Sequence, residues 1–182
     1  HSRLISSIKS TMFERSQETE EHAARLSQLA MRLGRQLGFS ISQLEELKLL
    51  ATLHDIGKIA IDDSILKKPA KLTKEEWKIM KSHSQIGYRI AMSSPEFASV
   101  ADYILYHHER WDGKGYPAGL KGETIPLPSR IICLVDAYDA MTNERPYCKA
   151  KSKNQAIEEI KNNAGSQFDP NLVKVFLEKV LT

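Results

Sequence analysis

Apolar residues recur at three- and four-residue spacing along most of the chain, a pattern typical of amphipathic α-helices. The first clear stripe starts near Glu20 and stops at Gly38, a residue type that favours helix termination. Its apolar face consists of Ala23, Leu26, Ala30, Leu33 and Leu37. This spacing predicts one long helix at the start of the domain.

Polar caps and prolines predict where the following helices begin. Capping boxes are predicted at Ser42 with Glu45, Thr73 with Glu76, and Ser152 with Gln155. Pro95 and Pro170 suit the first turns of two more helices. Residues 129–144 form a further predicted helix, with a strand as the alternative because the segment is rich in Ile and Val. The sequence therefore predicts an all-α bundle with one long ordered loop at residues 111–129.

Length and composition fit a single globular domain. The chain has 182 residues, of which 27% are charged, and no apolar run approaches membrane-spanning length. Its two cysteines, Cys133 and Cys148, show no metal-binding spacing, so a reducing cytoplasm is expected. The net charge of +3 is small, and without a basic stripe we expect no direct DNA or RNA binding.

The chain is expected to be a piece of a longer protein, because the sequence starts at His1 without methionine. Its N-terminus lacks the pattern of a signal peptide. Ile5, Ile8 and Met12 lie at helical spacing. They either pack on this domain or form a connecting helix from an upstream sensory or receiver domain. We assign residues 1–16 to this helix, a candidate homodimer contact, and residues 17–182 to the domain itself.

Histidines and acids form the main chemical signal. Apart from His1, all histidines fall inside or at the ends of predicted helices: His22, His54, His83, His107 and His108. Taken singly they have ordinary explanations, since Glu18 and His22 suit a surface pair, Asp55 a local cap, and Asp136 a backbone hydrogen bond. Taken together, imidazoles and carboxylates from facing helices predict a site for Fe, Mn, Co, Ni or Zn.

Asp55 is the natural bridge between two such ions, because it adjoins His54 and a carboxylate can bind two metals. Ions held this way can share a hydroxide that attacks a phosphodiester in line. Lys58 follows one helical turn later, where its ammonium could meet phosphate charge. The alternative for Lys58 is a solvated lysine that offsets the helix dipole.

Four motifs resemble the HD-GYP family, a branch of the HD phosphohydrolases. They are HDIGK, KSHSQIGYRI, HHERWDGKGYP and VDAYDAMTNERPY, in this order. The resemblance covers the chain from about Glu18 to its C-terminus. It implies an HD-domain helical bundle with a Gly/Pro-rich loop, called the GYP loop after Gly115, Tyr116 and Pro117, beside two or three iron or manganese ions. The implied activity is a bacterial signalling reaction, hydrolysis of cyclic di-GMP to pGpG and often on to GMP.

The resemblance also implies roles for individual residues. The metal ligands are Glu18, His22, His54, Asp55, His83, His107, His108 and Asp136, with Glu18 favouring a third ion. Lys58 and Arg145 would contact substrate phosphates, and the GYP loop would border the cleft and contact diguanylate cyclase domains. The family usually has a basic residue where this chain has Cys148, which predicts weaker phosphate binding unless Lys149 substitutes.

Two other functions are compatible with these motifs. A silent receptor or interaction module would bind a cyclic dinucleotide without turnover, but such a module is expected to lose ligands, and none is missing here. A related hydrolase could instead act on cyclic GMP-AMP, because the motifs do not determine base specificity. Turnover on a small panel of dinucleotides separates these possibilities.

Overall fold

The structure is a computed structural model that describes residues 19–144 and 149–181. The expected connecting helix of residues 1–16, Glu18, Arg145 and Cys148 lie outside these residues. The described part has nine α-helices: α1 (Glu20–Gln36), α2 (Ile41–Leu53), α3 (Asp63–Leu66), α4 (Lys74–Lys81), α5 (His83–Met92), α6 (Ala101–Leu105), α7 (Leu127–Thr142), α8 (Lys153–Asn162) and α9 (Pro170–Val175). Three 3₁₀ turns and one π-helical turn complete it: Ile56–Ala60, Ala98–Val100, Gly122–Thr124 and Phe176–Val180.

The prediction of an all-α bundle is confirmed, and the described residues contain no strand beyond one isolated bridge between Ala164 and Phe168. The strand alternative for residues 129–144 is wrong, because this segment is the helix α7. α1 packs against α2 and α7, and these helices supply much of the core. Fully buried core residues of the three are Leu26, Ala30, Leu33, Leu47, Leu50, Ala51, Leu53, Ile131, Ile132 and Val135. Within the described ranges, no helix has the length and apolar character needed to cross a membrane.

Two of the predicted capping boxes are confirmed, at Thr73 and at Ser152. The one predicted at Ser42 is wrong by two residues. Ser40 is the N-cap of α2, and its hydroxyl accepts from the Gln43 amide while the Gln43 side chain accepts from the Ser40 amide. Ser42 already lies inside the helix, so it cannot cap it.

Two predicted helices are shorter than their apolar pattern suggested. The helix predicted over residues 75–92 breaks at Ser82, whose amide donates to the carbonyl of Ile79, three residues earlier, instead of the one four residues earlier. The helix predicted from residue 95 consists only of the turn Ala98–Val100 and the short α6, so His107 and His108 lie in the turn that follows it. Both breaks place a histidine two residues after a helix end, His83 after Lys81 and His107 after Leu105.

Gly57 explains how separate helices converge on one point. A Cβ atom at this position would lie 1.9 Å from the His83 carbonyl oxygen and 2.6 Å from the Gly87 amide nitrogen. The turn Ile56–Ala60 therefore crosses α5 at a distance that only glycine allows. This crossing brings Asp55 next to His83.

Candidate metal centre

Asp55 lies at the centre of a buried cluster, directly after α2 and His54. Its Oδ2 is 2.7 Å from Lys58 Nζ and 3.3 Å from His54 Nε2. Its Oδ1 is 3.2 Å from His83 Nε2 and 3.8 Å from His107 Nε2. The two carboxylate oxygens thus face different histidines, as expected for a bridging ligand.

The ligand candidates fall into two adjoining groups, each with ligand atoms within 4.8 Å of one another. The first group is Asp55, His83, His107 and His108, and the second is His22, His54 and Asp136. In the second group, His22 Nε2 lies 3.5 Å from Asp136 Oδ1. All ligand candidates among the described residues therefore come together, although they are supplied by five separate segments of the chain.

Backbone carbonyls fix the orientation of three of the imidazoles. The Nδ1 atoms of His54, His83 and His107 lie 3.1, 2.7 and 2.6 Å from the carbonyl oxygen three residues earlier. A carbonyl oxygen only accepts, so each Nδ1 carries the proton and each Nε2 keeps its lone pair. The Nε2 lone pairs point to the cluster, which is the arrangement that a metal-binding histidine requires.

His22 is oriented by a carboxylate instead. Its Nδ1 donates to Asp139 Oδ2 at 2.7 Å, and Arg25 donates to both oxygens of the same carboxylate at 2.7 and 3.0 Å. Burial alone would raise the pKa of Asp139, but hydrogen bonds from His22 and Arg25 outweigh it and lower the pKa. Asp139 therefore stays ionised and holds His22 as a carboxylate–histidine pair.

Sequence reasoning missed both Asp139 and Arg25. Asp139 follows Asp136 by three residues, so the two acids share a face of α7, and this spacing was a usable signal. The contact with His22 spans 117 residues along the chain and has no sequence signal of its own.

The charge states of the cluster suit a cation. Burial raises the pKa of Asp55, but the charge of Lys58 and contacts with His54 and His83 outweigh it and hold the pKa well below its usual value. Burial and neighbouring imidazoles lower the pKa of His107 well below 6.5 and that of His108 to about 3. At neutral pH the cluster thus presents the anionic Asp55 carboxylate beside the neutral imidazoles of His107 and His108.

The residues fit a divalent metal on direct structural grounds. Within the described chain, Asp55 Oδ1 and the Nε2 atoms of His83 and His107 are buried without a hydrogen bond, and their mutual contacts lack hydrogen-bond geometry. Buried polar atoms of this kind cost free energy unless something binds them. Mixed nitrogen and oxygen donors suit Fe, Mn, Co, Ni or Zn. The cluster can therefore hold divalent ions, with Asp55 shared between its two groups.

The GYP loop packs tightly beside the cluster. The Tyr116 ring stacks on His108, with centroids 4.8 Å apart and planes at 29°. A Cβ on Gly115 would lie 2.4 Å from the Arg110 amide nitrogen, so this glycine is required for the loop to return along residues 108–110. Buried Glu109 secures the return by accepting hydrogen bonds from two loop amides, those of Ala118 and Gly119, at 2.7 and 3.0 Å.

A cleft of about 440 Å³ opens onto the cluster. Its lining includes Lys58, whose side chain is 21% exposed and paired with Asp55, so Lys58 is not a solvated helix-end lysine. Tyr116 also lines the cleft, whereas Gly115 and Pro117 are not part of its lining. A substrate contact of Gly115 and Pro117 stays a prediction. In the structure, Gly115 allows the close packing of the loop.

Known proteins are similar to this chain in sequence and fold. The sequence pattern of the family described as HD domain matches residues 2–172. A cyclic di-GMP phosphodiesterase of Thermotoga maritima is 44% identical over 172 residues, covering 92% of this chain and 47% of the relative. The cyclic di-GMP phosphodiesterase response regulator RpfG of Xanthomonas campestris is 43% identical over 161 residues, covering 87% of this chain and 43% of the relative.

A solved structure agrees with these relatives. The crystal structure of a cyclic GMP-AMP-specific phosphodiesterase of Vibrio cholerae matches with a TM-score of 0.73 at 25% identity, covering 96% of this chain and 47% of that protein. The chain spans about half the length of the relatives it matches. Because the family pattern covers nearly all residues and its motifs meet at one cluster, this chain belongs to the HD-domain family, in the HD-GYP branch that its motifs define.

Proposed function

We propose that this chain is a metal-dependent phosphodiesterase domain that hydrolyses cyclic di-GMP to pGpG. The observation that carries the proposal is the position of Asp55, whose two oxygens face two groups of metal-binding side chains at the base of an open cleft. Relatives named cyclic di-GMP phosphodiesterases at 43–44% identity support the choice of substrate.

The ions we propose are two divalent iron or manganese ions, one for each group of ligands. When bound, such ions lower the pKa of water and stabilise the negative charge of a reacting phosphodiester. The protein's part is to keep the Nε2 lone pairs available through the Nδ1 hydrogen bonds and to keep Asp55 ionised beside Lys58. Lys58 also lines the cleft, where its ammonium can neutralise a substrate phosphate.

Glu18 and Arg145 extend this proposal. Glu18 would add a carboxylate and a third ion, and it precedes Thr19, which lines the cleft. Arg145 would hold a second phosphate bidentately, and it directly follows the cleft residues Asn143 and Glu144. Replacing Arg145 by Ala is expected to raise KM for the dinucleotide more than it lowers kcat, whereas unchanged substrate affinity would remove the role.

Cyclic GMP-AMP is the second candidate substrate. A relative named 3'3'-cGAMP-specific phosphodiesterase 2, from Vibrio cholerae, favours it at 38% identity over 177 residues, below the 43–44% of the cyclic di-GMP phosphodiesterases. Both substrates present the same phosphodiester to the cluster, so the distinction rests on the bases alone. Relative kcat/KM for the two dinucleotides decides between them.

The decisive experiment is anaerobic turnover by protein loaded with Fe(II) or Mn(II), with metal content measured on the same sample. We expect two or three ions per chain and the appearance of pGpG. The matched control is the double variant His54→Ala/Asp55→Ala, which should lose metal and turnover while circular dichroism remains helical. Turnover by the control would overturn the Asp55-centred site, and a fully metallated wild-type protein that hydrolyses no cyclic dinucleotide would indicate a receptor.

A further inference from the structure

One side of the cleft is apolar and has no role in the metal cluster. It consists of Leu66 at the end of α3 and of Trp77 and Met80 on α4, here called the apolar wall. None of these side chains belongs to the hydrophobic core or to the partly buried side chains packed against it. The wall shares the cleft with Lys58 and His83, so it lies within reach of any molecule held by the cluster.

The helix that carries the wall is held by polar contacts. No residue of α4 is buried. The helix is fixed by its capping box at Thr73 and by Lys68, whose ammonium lies 2.7 and 2.8 Å from the two oxygens of Glu76. Trp77 is nevertheless on this helix with 49% of its surface exposed. An indole in such a place is not explained by core packing.

Trp77 differs in its contacts from Tyr116, which also lines the cleft. The Tyr116 ring stacks on His108, and the Lys81 ammonium lies 5.6 Å from the centroid of the same ring. In the described residues, no aromatic ring or cation contacts the ring of Trp77. With 49% of its surface exposed, Trp77 offers an aromatic surface to a planar ligand in the cleft.

We propose that the apolar wall binds a purine base of the substrate, which stacks on Trp77. This inference rests on the proposed function, because it takes a cyclic dinucleotide as the occupant. Such a molecule divides into anionic phosphates and planar bases. The phosphates suit the half of the cleft with Lys58 and the proposed metal ions, and the bases then need an apolar aromatic surface next to it.

The test separates the base from the phosphate by comparing GMP with ribose 5-phosphate, which lacks a base. Binding of each to Mn(II)-loaded protein is measured by isothermal titration calorimetry. Stacking of a base is worth roughly 5- to 150-fold in affinity. We expect Trp77→Ala to weaken the binding of GMP by about ten-fold or more. Trp77→Phe should retain most of the affinity for GMP, and neither variant should change the affinity for ribose 5-phosphate.

Ile79→Ala is the matched control, because Ile79 lies on the same helix, is 46% exposed and does not line the cleft. This variant should bind both ligands with the affinity of the wild-type protein. The proposal would be overturned if Trp77→Ala lost affinity equally for GMP and ribose 5-phosphate, or if it bound GMP as tightly as the wild type. Equal affinity of the wild-type protein for the two ligands would overturn it as well. Failure of the wild-type protein to hydrolyse cyclic di-GMP would remove the proposed activity instead and would leave the comparison of the two ligands interpretable.

Discussion

Asp139 shows how one residue outside the ligand set can control a ligand. It is 2% exposed and accepts hydrogen bonds from His22, Arg25 and the Asn143 side chain. These contacts leave the His22 proton on Nδ1 and direct its Nε2 toward Asp136. The metal affinity of the group of His22, His54 and Asp136 is therefore expected to depend on a carboxylate that need not touch the ion.

Asp139→Asn tests this dependence. The amide has no charge and can turn its NH₂ group toward His22, so the Nδ1 proton is no longer fixed. We expect metal affinity to fall roughly 10–100-fold at this group, measured by competition with a chelator, while the helical content is retained. Asp102→Asn, at an exposed acid of α6, is the control and should leave the affinity unchanged. Wild-type affinity in Asp139→Asn would contradict the role of Asp139.

The buried imidazoles predict how the metal-free protein responds to acid. The pKa of His108 is lowered from 6.5 to about 3 in the folded state, and that of His107 is also lowered. Between these values the unfolded chain binds protons that the folded chain does not. The free energy of unfolding should thus be highest above pH 6.5 and decrease as the pH falls toward 3.

Urea unfolding of chelator-treated protein at several pH values between 7.5 and 5, roughly the range in which an unperturbed histidine titrates, measures this effect. The variant His108→Gln removes one of the titrating groups, so its stability should depend less steeply on pH than that of the wild type. Equal slopes for the two proteins would show that His108 is protonated alike in both states.

At the level of elements, the close crossing at Gly57 positions the cluster. Gly57→Ala should destabilise the protein by roughly 1–3 kcal/mol, because the new methyl group would lie against the His83 carbonyl and the Gly87 amide. Since the crossing also sets Asp55 against His83, metal content should fall as well. Urea unfolding and metal analysis give the two readouts. Ala60→Ser, at an exposed position of the same turn, is the control, and wild-type stability in Gly57→Ala would refute the crossing.

Element existence was predictable and element ends were not. Apolar spacing and caps predicted most helices, including the capping boxes at Thr73 and Ser152. The breaks at Ser82 and after Leu105 follow from a change of hydrogen-bond partners that leaves the apolar pattern intact. Both breaks precede metal-ligand candidates. Apolar spacing therefore fails to predict the helix end where the site requires a particular direction of the side chain.

For the molecule as a whole, the sequence singled out the ligand candidates that the structure brings together, but not the residues that orient them. His22, His54 and His83 stood out because imidazoles and acids are rare in apolar helical stretches. Asp139 and Trp77 did not, because a second acid in a helix and an exposed tryptophan become informative only when their distant neighbours are known. The separate segments meet because the helices cross, and crossing angles cannot be read from apolar spacing.

Met80 belongs to both halves of the cleft. Its side chain is part of the apolar wall, and its carbonyl oxygen accepts a hydrogen bond from His83 Nδ1 at 2.7 Å. A displacement of α4 would therefore alter the proposed base-binding surface and a candidate metal ligand together. Thermodynamic linkage then requires a reciprocal effect. We therefore expect metal loading to change the affinity for GMP, and saturating GMP to change the affinity for metal by the same factor, through this one turn of α4.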